Sequence, residues 1–133
     1  MPAPAESARR GRILITDDDA DFRALLRTVL ESKGHTVLEA EDGSKAFLLA
    51  AQEKPDLIIL DMVMPGISGA TSLRLMEVFR RTTLTPVLFV TAGGVDDPAL
   101  AQALRMPGTR MLHKPLDWPE FHRQLQQMLA EAA

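Results

Sequence analysis

Pro55-Asp56-Leu57-Ile58-Ile59-Leu60-Asp61 is the stretch that decides the fold. Pro55 and Asp56 are followed by four consecutive apolar residues, two of them β-branched, and the run stops abruptly at a carboxylate. A strand with one wet face alternates apolar and polar residues. A strand apolar at every position is covered on both faces, as in a parallel sheet. The flanking sequence repeats the pattern. Ile13-Leu14-Ile15 runs into Thr16-Asp17-Asp18-Asp19, and Val87-Leu88-Phe89-Val90 runs into Thr91. His35-Thr36-Val37-Leu38-Glu39-Ala40 reads as a further strand, and Met111-Leu112 as a short one ending in His113-Lys114-Pro115.

Helical periods fill the gaps between these strands. Phe22, Leu25, Leu26, Val29 and Leu30 fall at i, i+3, i+4, i+7 and i+8, one face of a helix, with Asp19 as N-cap and Gly34 as stop. Asp42-Gly43-Ser44 reads as a turn. Ala46, Phe47, Leu49 and Ala50 mark a weaker helix that Pro55 terminates. Met64-Pro65-Gly66 is a loop, and a helix over about residues 69–80 turns Leu73, Met76 and Phe79 inward. Gly93-Gly94 makes another loop. Asp97-Pro98 opens a helix that runs to Met106 and breaks at Pro107-Gly108. The last helix starts like a capping box at Asp117-Trp118-Pro119-Glu120 and buries Phe121, Leu125, Met128 and Leu129, with Trp118 as a packing residue. Strands alternating with helices call for an α/β fold: a doubly wound, five-stranded parallel sheet with helices on both faces. Residues 1–11 have no apolar period and read as a disordered tail or linker. Residues 12–131 form the folded domain.

Composition narrows the chemistry. The chain has 133 residues, 46% hydrophobic and 25% charged, which suits one globular domain. The absence of cysteine excludes a disulfide scaffold, a thiol nucleophile and any thiolate metal site. No apolar run is long enough to span a bilayer. Met1-Pro2-Ala3-Pro4 leads into charge rather than a secretory core, so a cytoplasmic location is expected. The net charge is −3, from 15 basic and 18 acidic residues. Basic residues cluster only at Arg9, Arg10 and Arg12 and at Arg80-Arg81, so no direct nucleic acid binding and no membrane partner are expected. His35, His113 and His122 lack metal-ligand spacing.

Function is written in where the polar residues fall. Each core strand stays apolar until its C-terminal end and then turns polar, at Asp17-Asp18, Asp61, Thr91 and Lys114. In an open parallel sheet these ends share one edge, where ligands bind. Three carboxylates gathered there repel one another, and Lys114 supplies one positive charge against three negatives. A hard divalent cation, Mg²⁺ or Mn²⁺, relieves the repulsion. A metal, an ammonium, a hydroxyl and a carboxylate together are the parts for receiving a phosphoryl group. Asp61 is then the nucleophile, Asp17 and Asp18 hold the metal, and Thr91 bonds a phosphoryl oxygen.

These segments together resemble the receiver domain of two-component response regulators. The resemblance rests on Ile13 to Asp19, Pro55 to Gly66, Val90-Thr91-Ala92 and Lys114-Pro115, with matching spacings, and covers roughly residues 12–130. It implies a flavodoxin-like fold with strand order 2-1-3-4-5. It implies phosphorylation at Asp61 by the phosphohistidine of a sensor histidine kinase and altered binding to a downstream effector protein. It also implies Mg²⁺ held by Asp17, Asp18, Asp61 and the Val63 backbone carbonyl, with Thr91 and Lys114 as the hydroxyl and the lysine, and a cis Lys114–Pro115 bond. Such a domain is a signalling module that catalyses only its own phosphoryl transfer and dephosphorylation. One position departs from the family. The aromatic residue expected three places before the lysine is Met111, which points to an altered switch between Thr91 and the last strand. Two alternatives carry less. A Mg-dependent small-molecule phosphatase wants a second acid two residues after the nucleophile, where Val63 stands. A flavin carrier wants a glycine- and hydroxyl-rich loop where Asp17-Asp18-Asp19 stands. A stand-alone regulator and a receiver excised from a hybrid kinase or multidomain regulator both remain compatible with the sequence.

Overall fold

The structure is a computed structural model that describes residues 10–61, 85–92, 101, 104–105 and 107–132. The Met64-Pro65-Gly66 loop, the helix over 69–80 with Leu73, Met76 and Phe79, Arg80-Arg81, the Gly93-Gly94 loop and the Asp97-Pro98 start of the next helix lie outside the described residues. So does Val63.

Five strands form one sheet: β1 (Arg12–Thr16), β2 (Thr36–Ala40), β3 (Leu57–Leu60), β4 (Val87–Thr91) and β5 (Thr109–His113), in the order β2-β1-β3-β4-β5. Every pairing is parallel, with Thr16 level with both Ala40 and Leu60. This is the doubly wound, flavodoxin-like arrangement. Among the described residues it carries three helices: α1 (Ala20–Ser32), α2 (Gly43–Glu53) and α3 (Trp118–Ala132). The strands alternate their side chains between two cores. Leu14, Ile58, Leu60, Val87 and Phe89 pack with Ala46 and Ala50 of α2 on one face. Ile13, Ile15, Leu57, Ile59, Leu88 and Val90 pack with Leu26 and Leu30 of α1 and with Phe121, Leu125, Met128 and Leu129 of α3 on the other. β3 and β4 are buried at every position, which is why their sequences do not alternate.

Local chemistry sets the helix ends. Asp19 caps α1 by accepting from the backbone N–H groups of Asp21 and Phe22. The helix closes with the His35 N–H on the Leu30 carbonyl at 3.2 Å and the Gly34 N–H on the Glu31 carbonyl at 3.0 Å. Gly34 sits at φ 92°, a left-handed turn for which glycine carries no Cβ penalty. The predicted turn at Asp42-Gly43-Ser44 is instead the start of α2. The Asp42 side chain accepts from the Lys45 N–H, and the helix begins at Gly43. Two side chains expected in the core face outward. Leu25 is 48% exposed and Phe47 is 37% exposed. β5 runs longer than its two apolar residues, because pairing with β4 extends it from Thr109 to His113. The start of α3 departs from a capping box. The Phe121 N–H bonds the Asp117 carbonyl, while the Glu120 carboxylate turns along the helix to Arg123 and Gln124. Trp118 packs edge-on against Phe121, as a core-flanking residue.

Candidate functional site

The sheet brings its polar strand ends to one edge. Asp17 follows β1, Asp61 follows β3, Thr91 ends β4 and Lys114 follows β5. The backbone fastens these ends to each other. The Asp61 N–H bonds the Thr16 carbonyl at 3.0 Å, the Asp17 N–H bonds the Ala40 carbonyl at 3.3 Å, and the Lys114 N–H bonds the Thr91 carbonyl at 3.0 Å. The Lys114–Pro115 peptide is cis.

Asp17, Asp18 and Asp61 each offer a carboxylate oxygen, and these oxygens lie within 4.8 Å of one another. Asp17 and Asp61 are nearly buried at 2% and 6% exposure, and Asp18 is exposed. Lys114 Nζ lies 2.8 Å from Asp17 Oδ2 and 3.4 Å from Asp61 Oδ2. It also stands over the Phe22 ring, 4.1 Å from its centroid. Burial pulls the Lys114 pKa down, but the hydrogen bond to Asp17 and the charge of Asp61 outweigh it, and the ammonium is held above the ordinary lysine value. Asp17 Oδ1 is occupied differently, accepting the Asp19 N–H at 2.9 Å. Thr91 is buried at 1% exposure, one strand over from Lys114.

One ammonium against three carboxylates leaves a net negative pocket of hard oxygen donors. Such a donor set suits Mg²⁺ or Mn²⁺, which favour carboxylate and carbonyl oxygens and retain water. The exposed side of Asp18 leaves the group open to solvent, as an ion that keeps water ligands needs.

Met111, the departure from the aromatic pattern, lies beside Phe89 in the β4–β5 register and packs, partly buried, against the core that α2 covers. The sequence alone did not reveal a network behind the acids. Arg23 of α1 reaches both the Asp17 carbonyl and Glu39 of β2, and Glu39 also pairs with Arg27. The signal was present as two arginines at i and i+4 on α1, opposite an acidic residue within an otherwise apolar strand.

Residues 13–126 match the family model described as the response regulator receiver domain. The chain is similar to protein PilH of Pseudomonas aeruginosa, at 44% identity over 80 residues, covering 60% of this chain and 66% of that protein. It is similar to the phosphate regulon transcriptional regulatory protein PhoB of the same organism, at 34% identity over 117 residues, covering 88% of this chain and 51% of that protein. Among solved structures, a two-component response regulator from Clostridium difficile superposes with a TM-score of 0.78 at 28% identity, covering 90% of this chain and 95% of that one. The chain thus spans only about half to two-thirds of the curated relatives' own length.

Proposed function

The chain belongs to the receiver domain family of two-component response regulators, and on that premise we propose that Asp61 accepts a phosphoryl group from the phosphohistidine of a sensor histidine kinase. A carboxylate oxygen of Asp61 forms the new bond to phosphorus, the nitrogen–phosphorus bond of the donor breaks, and an acyl phosphate results. Asp17, Asp18 and Asp61 are the residues that hold Mg²⁺ or Mn²⁺, with the Val63 carbonyl as a further donor. Held there, such a cation would supply positive charge to offset that of the transferring oxygens.

The chain's own residues do the rest. Lys114 starts within reach of Asp61 and pairs with a phosphoryl oxygen as the carboxylate is modified. Thr91 donates its hydroxyl to another, and its backbone carbonyl accepts the Lys114 N–H. The modified state is read by a partner through differential binding of two conformations. Met111 has neither ring nor hydroxyl, so movement of Thr91 is reported to the β5 face more weakly than through an aromatic residue. The observation that carries this function is the convergence of three carboxylates and one ammonium from the ends of three parallel strands.

Intact mass spectrometry after incubation with Mg²⁺ and acetyl phosphate tests it. The wild type gains one phosphoryl group, while Asp61→Asn and a chelated sample gain none. An unmodified wild type, or equal labelling of the Asn variant, overturns the assignment.

A further inference from the structure

We propose that Arg23 is a positioning residue for the divalent cation, acting by fixing the peptide between Asp17 and Asp18; this rests on the site as read above. Arg23 lies in the first turns of α1 with its side chain 15% exposed. One guanidinium nitrogen donates to the Asp17 carbonyl at 2.5 Å, and Nε donates to Glu39 Oε1 at 3.2 Å. The other Glu39 oxygen takes Arg27, which also pairs with Glu31. The end of β1, helix α1 and strand β2 are thereby tied through one planar fork.

The carbonyl is the telling partner. β1 ends at Thr16, so the sheet ladder no longer serves Asp17's carbonyl, and Arg23 donates to it instead. That carbonyl belongs to the peptide linking Asp17 to Asp18. Fixing its plane fixes where Asp18 leaves the chain. The Asp18 side chain is exposed and has no hydrogen bond among the described residues, so its backbone must place it. Asp17 itself is held three times more, at its N–H by the Ala40 carbonyl, at Oδ1 by the Asp19 N–H and at Oδ2 by Lys114. Arg23 therefore matters most for the acid that has no other support.

A cation beside a metal site could equally weaken metal binding by repulsion. Glu39 answers this, since its paired carboxylate offsets the guanidinium charge and leaves the geometric contribution. A simple ion pair would not need this residue, because Glu39 already has Arg27. Only a planar fork reaches the carbonyl and the carboxylate together.

Mn²⁺ titration of the full chain, followed by the electron paramagnetic resonance of the free ion without any phosphoryl donor, tests the proposal. Arg23→Ala lowers Mn²⁺ affinity about 10-fold or more, the range for groups that orient metal ligands. Arg27→Ala removes a Glu39 ion pair but not the Asp17 contact, and changes affinity less than about 2-fold. Arg23→Lys keeps the charge and the fold but reaches one partner at a time, and falls between wild type and Ala. Urea midpoints measured in chelator separate lost stability from lost affinity. Wild-type Mn²⁺ affinity in Arg23→Ala or in Arg23→Lys, or equal weakening in the Arg23 and Arg27 variants, overturns the proposal and leaves the site reading standing. A wild type that binds no Mn²⁺ overturns both.

Discussion

At the scale of single residues the site trades stability for chemistry. Lys114 is the only cation among the described residues that touches both buried carboxylates, at 2.8 Å and 3.4 Å. Lys114→Met keeps an apolar side chain of similar length but removes the ammonium that pairs with Asp17 and Asp61. Urea denaturation in chelator should show a loss of roughly 1–3 kcal/mol, the cost of stranding polar groups in a mostly buried place. Millimolar Mg²⁺ should recover much of that loss, because the dication takes over the compensation. An equal loss with and without Mg²⁺ would show that the carboxylates are not what Lys114 stabilises. Thr16 shows the opposite sign. Its hydroxyl is buried and has no partner among the described residues. Thr16→Val removes that unsatisfied group at nearly constant shape, and should raise the unfolding free energy by about 1 kcal/mol in the same assay.

At the scale of elements, α1 carries most of the support beneath the acids. Its cap is separable from the site. Asp19→Ala removes the acceptor for two backbone N–H groups and should cost about 1 kcal/mol in denaturant. The backbone N–H that Asp19 gives to Asp17 survives the change, so Mn²⁺ affinity should hold while stability falls. Strand positions were legible in the sequence because a strand covered on both faces leaves no polar residue inside, and Leu57–Leu60 is found where its apolar run predicts. Helix faces were less legible. The period of α1 assigns Leu25 to the same stripe as Leu26 and Leu30, yet a helix lying on a sheet buries only a narrow strip, and Leu25 falls at its margin. Phe47 fails in the same way, where Ala46 and Ala50 make the contact. Glu120 had the right spacing for a capping box but found nearer partners in Arg123 and Gln124, an alternative that spacing alone does not exclude.

At the scale of the molecule, topology explains which parts of the site could be read from sequence. Parallel strands deliver their C-terminal residues to one edge whatever else happens, so Asp17, Asp61, Thr91 and Lys114 could be placed together from strand order alone. Contacts that depend on how a helix rolls against a strand could not, and the Arg23–Glu39 brace is one of them. His35 and His122 are another, far apart in sequence yet close enough in the fold for His122 to lower the His35 pKa. His35 is 4% exposed and accepts the Gly11 N–H on Nδ1 at 3.1 Å. That nitrogen is therefore unprotonated, and the ring is neutral. Burial lowers the His35 pKa first, and the charges of His122 and Arg10 lower it further. Burial and then Lys33 lower that of His122. Both groups thus bind protons less readily folded than unfolded. Their contribution is complete above the ordinary histidine value of about 6.5 and declines as the pH falls below it. Protonation of His35 also removes the acceptor that anchors Gly11, whose carbonyl takes the Thr36 N–H at the start of β2. Urea midpoints should therefore fall between about pH 7 and pH 5, a window above the range in which ordinary carboxylates titrate. His35→Asn retains an acceptor near Nδ1 but cannot titrate, so it should be less stable at neutral pH and lose less on acidification. If its midpoint falls with pH as steeply as the wild type's, the acid sensitivity does not arise at His35, and His122 becomes the residue to replace.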